Sequence, residues 1–145
     1  MRTADPRVAR IVEAFERLEA ADVARVGRLY AADARFKDPF NEVAGRAAIE
    51  RIFAHMFVAL QRPRFVVHEV LVQGDQALLT WDFRFGVGRW ARGELCIRGA
   101  THLRLDAEGR IAEHRDYWDA AEELYAKLPL LGPLMRWLQR RGAAR

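Results

Sequence analysis

The spacing of apolar residues changes once along this chain, and that change limits the available folds more than any single motif does. Val8, Ile11, Val12, Phe15 and Leu18 recur at helical intervals. Ile49, Ile52, Phe53, Met56, Phe57 and Leu60 do the same. From residue 64 onward the intervals shorten to those of strands, with β-branched and aromatic residues dominating the segments around Phe65 to Val72, Ala77 to Val87, Glu94 to Leu105 and Arg110 to Trp118. Gly74 with Asp75, the glycines at 86, 88 and 93, and the run Asp106 to Gly109 supply the turns between them. Helices first and consecutive hairpin-linked strands afterwards predict an α+β fold with a mainly antiparallel sheet.

Boundary residues refine this outline. Asp5 before Pro6 starts a helix, because the carboxylate accepts orphan backbone N–H groups and proline tolerates the first helical position. The first helix is expected over about 6–20. Asp22 caps a second, short helix carrying Val23, Val26, Leu29 and Tyr30, followed by a polar stretch from Ala31 to Asp38 with at most a short strand near Phe36. The third helix follows Gly45 and ends before Pro63. Residues 128–145 read as a basic amphipathic helix with Leu131, Leu134, Met135 and Leu138 on one face. Such a helix closes a pocket, packs in a dimer or touches a membrane surface. With no repeat or linker in view, 1–145 is expected to be a single domain.

Totals exclude several classes of function. Of 145 residues, 51% are hydrophobic and 30% charged, the balance of a folded globular protein. No apolar run approaches the roughly 18 residues of a membrane span, and the N-terminus is charged where a signal peptide is apolar, so a cytoplasmic chain is expected. The net charge of +4 equals the four arginines of residues 128–145, a segment without acids. A neutral body with one basic end lacks the broad cationic surface of a nucleic-acid binder. Cys96 is the only cysteine, and His55, His68 and His102 have no metal-ligand spacing. The glycines form neither a phosphate loop nor a dinucleotide fingerprint. Neither a metal nor a cofactor is expected.

Two stretches carry family information. The first runs from Leu29 and Tyr30 through Asp38, Pro39 and Phe40 to the helix opening at Gly45 and Arg46. The second is the hairpin from Leu105 through Gly109 to Ile111, leading into His114, Asp116, Trp118 and Asp119. Together with the element order they resemble the SnoaL-like and ketosteroid isomerase-like family of the nuclear transport factor 2-like superfamily, over residues 6 to about 125. The resemblance implies three helices packed on a curved sheet, a conical pocket for a small, largely apolar organic molecule, and a homodimer. It leaves the reaction open, because one fold hosts many chemistries.

Residue by residue, Asp38 falls where ketosteroid isomerases carry the aspartate that shuttles a proton α to a carbonyl. Their oxyanion-stabilising tyrosines fall at Ala14 or Phe15 and at Phe53, and their protonated aspartate falls at Thr101. Tyr30 matches a supporting tyrosine. Alternation sets Ala112, His114, Asp116 and Trp118 on one face of the last strand, and the resemblance turns that face to the cavity. In the limonene epoxide hydrolase branch a similar stretch supplies an aspartate of an aspartate-arginine-aspartate triad; Asp116 matches it, with Asp82 and Arg84 in the region of the other two. That branch's water-holding asparagine falls at Asp38 and its tyrosine at Phe36.

These positions support three readings. In the first, the protein is a cofactor-free isomerase, cyclase or lyase: Asp38, shielded from water by Phe40, Phe53, Phe57 and Trp118, moves a proton, and His114 and Asp116 relay it. Tyr30 and Thr101 add hydrogen bonds. In the second, the same cavity binds a ligand without chemistry or serves a dimeric interaction protein, Asp38 organises a turn before Pro39, and His114 and Asp116 are a hydrogen-bonded polar pair. The third is water addition to an epoxide, which needs Asp82, Arg84 and Asp116 within hydrogen-bonding reach of one another.

Overall fold

The computed structural model describes residues 2–88, 93–127 and 131–142. Residues 89–92, the parts of the expected C-terminal helix at 128–130 and 143–145, and the side chains of Leu131 and Met135 lie outside the described residues. Asp5 starts helix α1 (Pro6–Glu16) as its sequence predicts, its carboxylate accepting from the backbone N–H groups of Arg7 and Val8. The helix is shorter than expected and ends at Glu16. The Glu16 carboxylate accepts the backbone N–H of Val67, at an irregularity in the neighbouring strand ladder where that donor needs a partner. Val8, Ile11, Val12 and Phe15 form the buried stripe.

After a 3-10 turn at Ala20–Asp22 comes α2 (Val23–Gly27). The expectation that Leu29 and Tyr30 belong to this helix is incorrect. Tyr30 opens a full strand, β1 (Tyr30–Lys37), where only a short strand near Phe36 was expected. Its backbone pairs on both sides, and the small Ala31 and Ala34 are buried. Tertiary burial makes a strand out of a stretch whose local pattern alternates poorly. A short β2 (Glu42–Ala44) folds back on β1, and α3 (Arg46–Ala59) follows Gly45, whose φ of 98° a non-glycine residue rarely adopts.

The remaining strands are β3 (Gln61–Gln73), β4 (Gln76–Gly86), β5 (Glu94–Leu105) and β6 (Ile111–Tyr117). Pro63 sits inside β3 and not before it. It is tolerated because β3 is an edge strand and the ladder is irregular between Gln61 and Arg64. The six strands lie in the order β2-β1-β6-β5-β4-β3, all antiparallel neighbours except β1 and β6, which run parallel. This parallel pair brings Phe36 opposite His114, joining two stretches far apart in sequence.

The sheet is curved. Phe15 of α1 stacks on Phe53 of α3 with ring centroids 6.2 Å apart, and on β4 the residues Leu79, Trp81 and Phe85 are buried. Beyond β6, α4 (Ala120–Glu123) is capped by Asp119 and followed by a 3-10 turn at Tyr125–Lys127. Helix α5 (Leu131–Gly142) packs against that turn. The architecture is α+β, as the change of period predicts.

Candidate functional site

Strand alternation decides which side chains meet. On β4 the inward residues are Leu79, Trp81, Phe83 and Phe85; on β6 they are His114 and Asp116, with Trp118 just beyond the strand. One face of α3, with Ala48, Arg51, Ile52, His55, Met56 and Ala59, closes the other side. Between them lies a cavity of about 1060 Å³ whose wall is mostly aromatic and aliphatic. That volume is at the upper end for a small-molecule site. Asp38 and Asp116, 78 positions apart, both line it.

The polar part of the wall is a chain of side-chain hydrogen bonds. Trp81 Nε1 donates to Thr101 Oγ1 at 2.7 Å, and Thr101 Oγ1 donates to Asp116 Oδ1 at 2.6 Å. His114 Nε2 lies 2.7 Å from the same Oδ1, and Tyr30 Oη lies 2.7 Å from His114 Nδ1. Register explains each link. Thr101 stands directly opposite Asp116 on the neighbouring strand, and Asp116 is two residues from His114 on one face. Trp81 stands opposite Gly99, and a Cβ at 99 would lie 2.5 Å from its ring. Glycine at 99 therefore lets the indole lie across β5 and reach Thr101.

Proton positions follow from the partners. Burial, reinforced by the Asp116 charge, pushes the Tyr30 phenol well above its ordinary value of 10, so it keeps its proton. It then donates to His114 Nδ1, which leaves the ring proton on Nε2 to donate to Asp116. Tyr30 is fully buried and does not line the cavity, so its place is behind His114. Both protein donors to Asp116 converge on Oδ1. Among the described residues Oδ2 receives no hydrogen bond, while the Asp116 side chain stays 15% exposed. One carboxylate oxygen is held by protein donors and the other is not.

Asp38 is engaged differently. Its Oδ1 accepts from the backbone N–H groups of Phe40 and Asn41, each at 2.7 Å, and from Asn41 Nδ2 at 3.1 Å; Oδ2 accepts from Asn41 Nδ2 at 3.2 Å. Both oxygens therefore hold the turn at Pro39, the arrangement expected of an Asp-Pro corner. Phe40 is 56% exposed at the rim, with its ring 5.5 Å from Trp118. Phe53 lines the cavity and Phe57 does not, so the expected shield around Asp38 is incomplete.

Asp82 and Arg84 correct the sequence reading. They alternate with the inward Trp81, Phe83 and Phe85 and so point to the opposite face of the sheet, where Asp82 lies 3.2 Å from His68 Nε2 and Arg84 reaches toward Glu94. Neither lines the cavity, and they form no triad with Asp116. The epoxide hydrolase arrangement is absent among the described residues.

Trp81 and Asn41 were missed as site residues. Alternation sets Trp81 and Phe83 on one face of β4, but which face turns inward, and the indole's partner on β5, have no local signal. Asn41, three residues after Asp38, had a local signal in the Asp-Pro-x-Asn turn pattern.

A cavity between a curved, mainly antiparallel sheet and N-terminal helices characterises the nuclear transport factor 2-like fold. Solved structures agree. A hypothetical protein with a ketosteroid isomerase-like fold from Catenulispora acidiphila, in complex with trimethylamine, superposes with a TM-score of 0.73 at 20% identity, covering 86% of this chain and 93% of that one. An LEH-like epoxide hydrolase from M. tuberculosis gives 0.68 at 19% identity over 92% and 96%. SalBIII, an epoxide hydrolase/cyclase-like enzyme of pyran ring formation in salinomycin, gives 0.66 at 19% over 78% and 88%. At these identities the likeness concerns the fold. The SnoaL-like domain family matches residues 8–114, and the chain belongs to that family. None of the curated proteins matches it.

Proposed function

We propose that the protein is a cofactor-free acid-base catalyst acting on a small, largely apolar organic molecule, with Asp116 as the proton-transferring group. The observation that carries this reading is the asymmetry of Asp116, a residue of the cavity wall: Oδ1 is fixed by Thr101 and His114, and Oδ2 receives no hydrogen bond among the described residues. A carboxylate held in this way is aimed before the ligand arrives, which is the condition for efficient proton transfer. The role that the resemblance assigns to Asp38 passes to Asp116, because the Asp38 oxygens are occupied by the turn.

The reaction class that fits is isomerisation, cyclisation or elimination by a single shuttling carboxylate. Oδ2 takes a proton from carbon α to a carbonyl, and the resulting carboxylic acid returns it to another atom of the same molecule. His114 and Thr101 keep Oδ1 in place throughout. Charge developing on the ligand oxygen needs a donor. Trp118 Nε1, which finds no acceptor among the described residues, and Arg51 and His55 on the wall are the available groups.

The test is deuterium uptake. Purified protein in D2O, offered a panel of apolar ketones and lactones, should catalyse α-exchange visible by mass spectrometry. Asp116→Asn should reduce it by roughly two to four orders of magnitude while ligands still bind, and Asp38→Asn should reduce it far less. Tight ligand binding with no exchange and no product, in wild type as in the variants, would leave the non-catalytic binder as the correct reading. The family resemblance also carries a dimer. The outward sheet face, where Val66, Leu71, Leu78 and Tyr117 are exposed, is the surface a second copy would cover.

A further inference from the structure

Helix α5 is attached to the body by the wrong face for an amphipathic helix. A Cβ at Gly132 would lie 2.7 Å from the Ala126 carbonyl oxygen, and Arg136 donates a hydrogen bond to that same carbonyl. The helix thus rests on the 3-10 turn through its small and basic side. Leu134, Trp137 and Leu138 lie on the other side and remain 49%, 45% and 47% exposed. Packing on the body therefore leaves these three apolar side chains about half exposed, although a short helix with an apolar stripe normally buries it that way.

We propose that α5 docks the protein on an anionic lipid surface, lying in the plane of the headgroups and not crossing them. Three observations select this occupant. Residues 128–145 hold four arginines and no acid while residues 1–127 carry no net charge, so the chain's positive charge is concentrated at this end. The apolar stripe is flanked by arginines that can extend to headgroup phosphates, and the Arg141 guanidinium lies 5.1 Å from the centre of the Trp137 ring. A second copy docked face to face would bring the arginines of both helices together, which a lipid surface avoids. No helix among the described residues is long and apolar enough to cross a membrane.

The placement has a consequence for the cavity. The turn that carries α5 includes Tyr125, whose ring lies 6.3 Å from that of Phe40 at the cavity rim, and Leu124 lines the cavity itself. A protein docked through α5 has its pocket rim near the lipid, the natural store of an apolar ligand. The docking itself does not depend on the chemistry assigned to Asp116.

Co-sedimentation of the full chain with vesicles tests the inference. Phosphatidylcholine vesicles carrying roughly one-third phosphatidylglycerol should retain the protein, and binding should weaken in high salt. Each arginine near such a surface is worth about fivefold in partition. Arg140→Glu with Arg141→Glu should therefore lose at least about tenfold, and the corresponding double lysine variant should retain binding. Leu134→Ser with Trp137→Ser should also release the protein, with circular dichroism confirming the fold of each variant. Equal binding to pure phosphatidylcholine, no binding to either vesicle, or full binding by the double glutamate variant would overturn the proposal. So would light scattering showing that α5 instead mediates a dimer dissolved by the Leu134 and Trp137 changes.

Discussion

His114 is held between a phenol and a carboxylate, and neither partner can be removed without leaving a buried ring nitrogen unpaired. Replacing Tyr30 by Phe keeps the ring packing against Phe53 but deprives His114 Nδ1 of its donor. A buried acceptor left unpaired costs about 1–3 kcal/mol, so Tyr30→Phe should lower stability by that amount in denaturant titration. The same phenol gives a pH signature. Its folded value is raised above 10, so between the two values the unfolded chain holds fewer protons than the folded one. Tyr30 therefore contributes its full share of stability below about pH 10 and loses it as the pH climbs further. Wild type should destabilise more steeply than Tyr30→Phe on passing about pH 10, as measured by thermal melts across an alkaline series.

Among the elements, α4 and the turn after it depend on one acid. Burial alone would raise Glu123, but hydrogen bonds from Arg98 and Lys127 outweigh it and hold the carboxyl below its ordinary range. Lys127 also donates to the Cys96 carbonyl, so Glu123 fastens the α4 segment to β5. A depressed value means that this stabilisation is present above the ordinary carboxylate range near pH 4.5 and is lost as pH falls through the folded value. Hydrogen exchange should report local release of 119–142 on acidification, and Glu123→Gln should produce that release at neutral pH with the sheet still protected. A variant whose exchange matched wild type would show that the apolar contacts of Leu124 suffice. At this scale α1, α3 and the strands β3, β4, β5 and β6 were legible, because each carries its own period. Strand β1 was not. Its alanines and charges alternate poorly, and it is a strand because β2 and β6 complete its hydrogen bonds from both sides.

The whole molecule presents a cavity large enough for an apolar ligand of some size, and occupancy should be visible in stability. Ligand that binds only the folded state at about a hundred times its dissociation constant adds about 2.7 kcal/mol. An apolar dye such as Nile red should therefore raise the melting temperature. Ala48→Trp, which fills the α3 wall of the cavity, should abolish the shift. An undiminished shift in that variant would place the dye elsewhere, the outward sheet face or α5 being the alternatives.

The α+β architecture, the set of residues sharing one face of the last strand and the basic amphipathic end are all readable from local periodicity and charge, whereas the turning of that face toward the cavity was implied by the family resemblance. Tertiary structure alone decided which carboxylate is available. Asp38 and Asp116 are both acidic residues near aromatic ones in the sequence, but Asn41 and the turn backbone occupy the first, whereas cross-strand register leaves the second with one oxygen that receives no hydrogen bond among the described residues. It also decided that Asp82 and Arg84 face away from the cavity, since that depends on the register of β4 within the sheet. Hydrogen bonds between strands distant in sequence set such choices, and no local pattern records them.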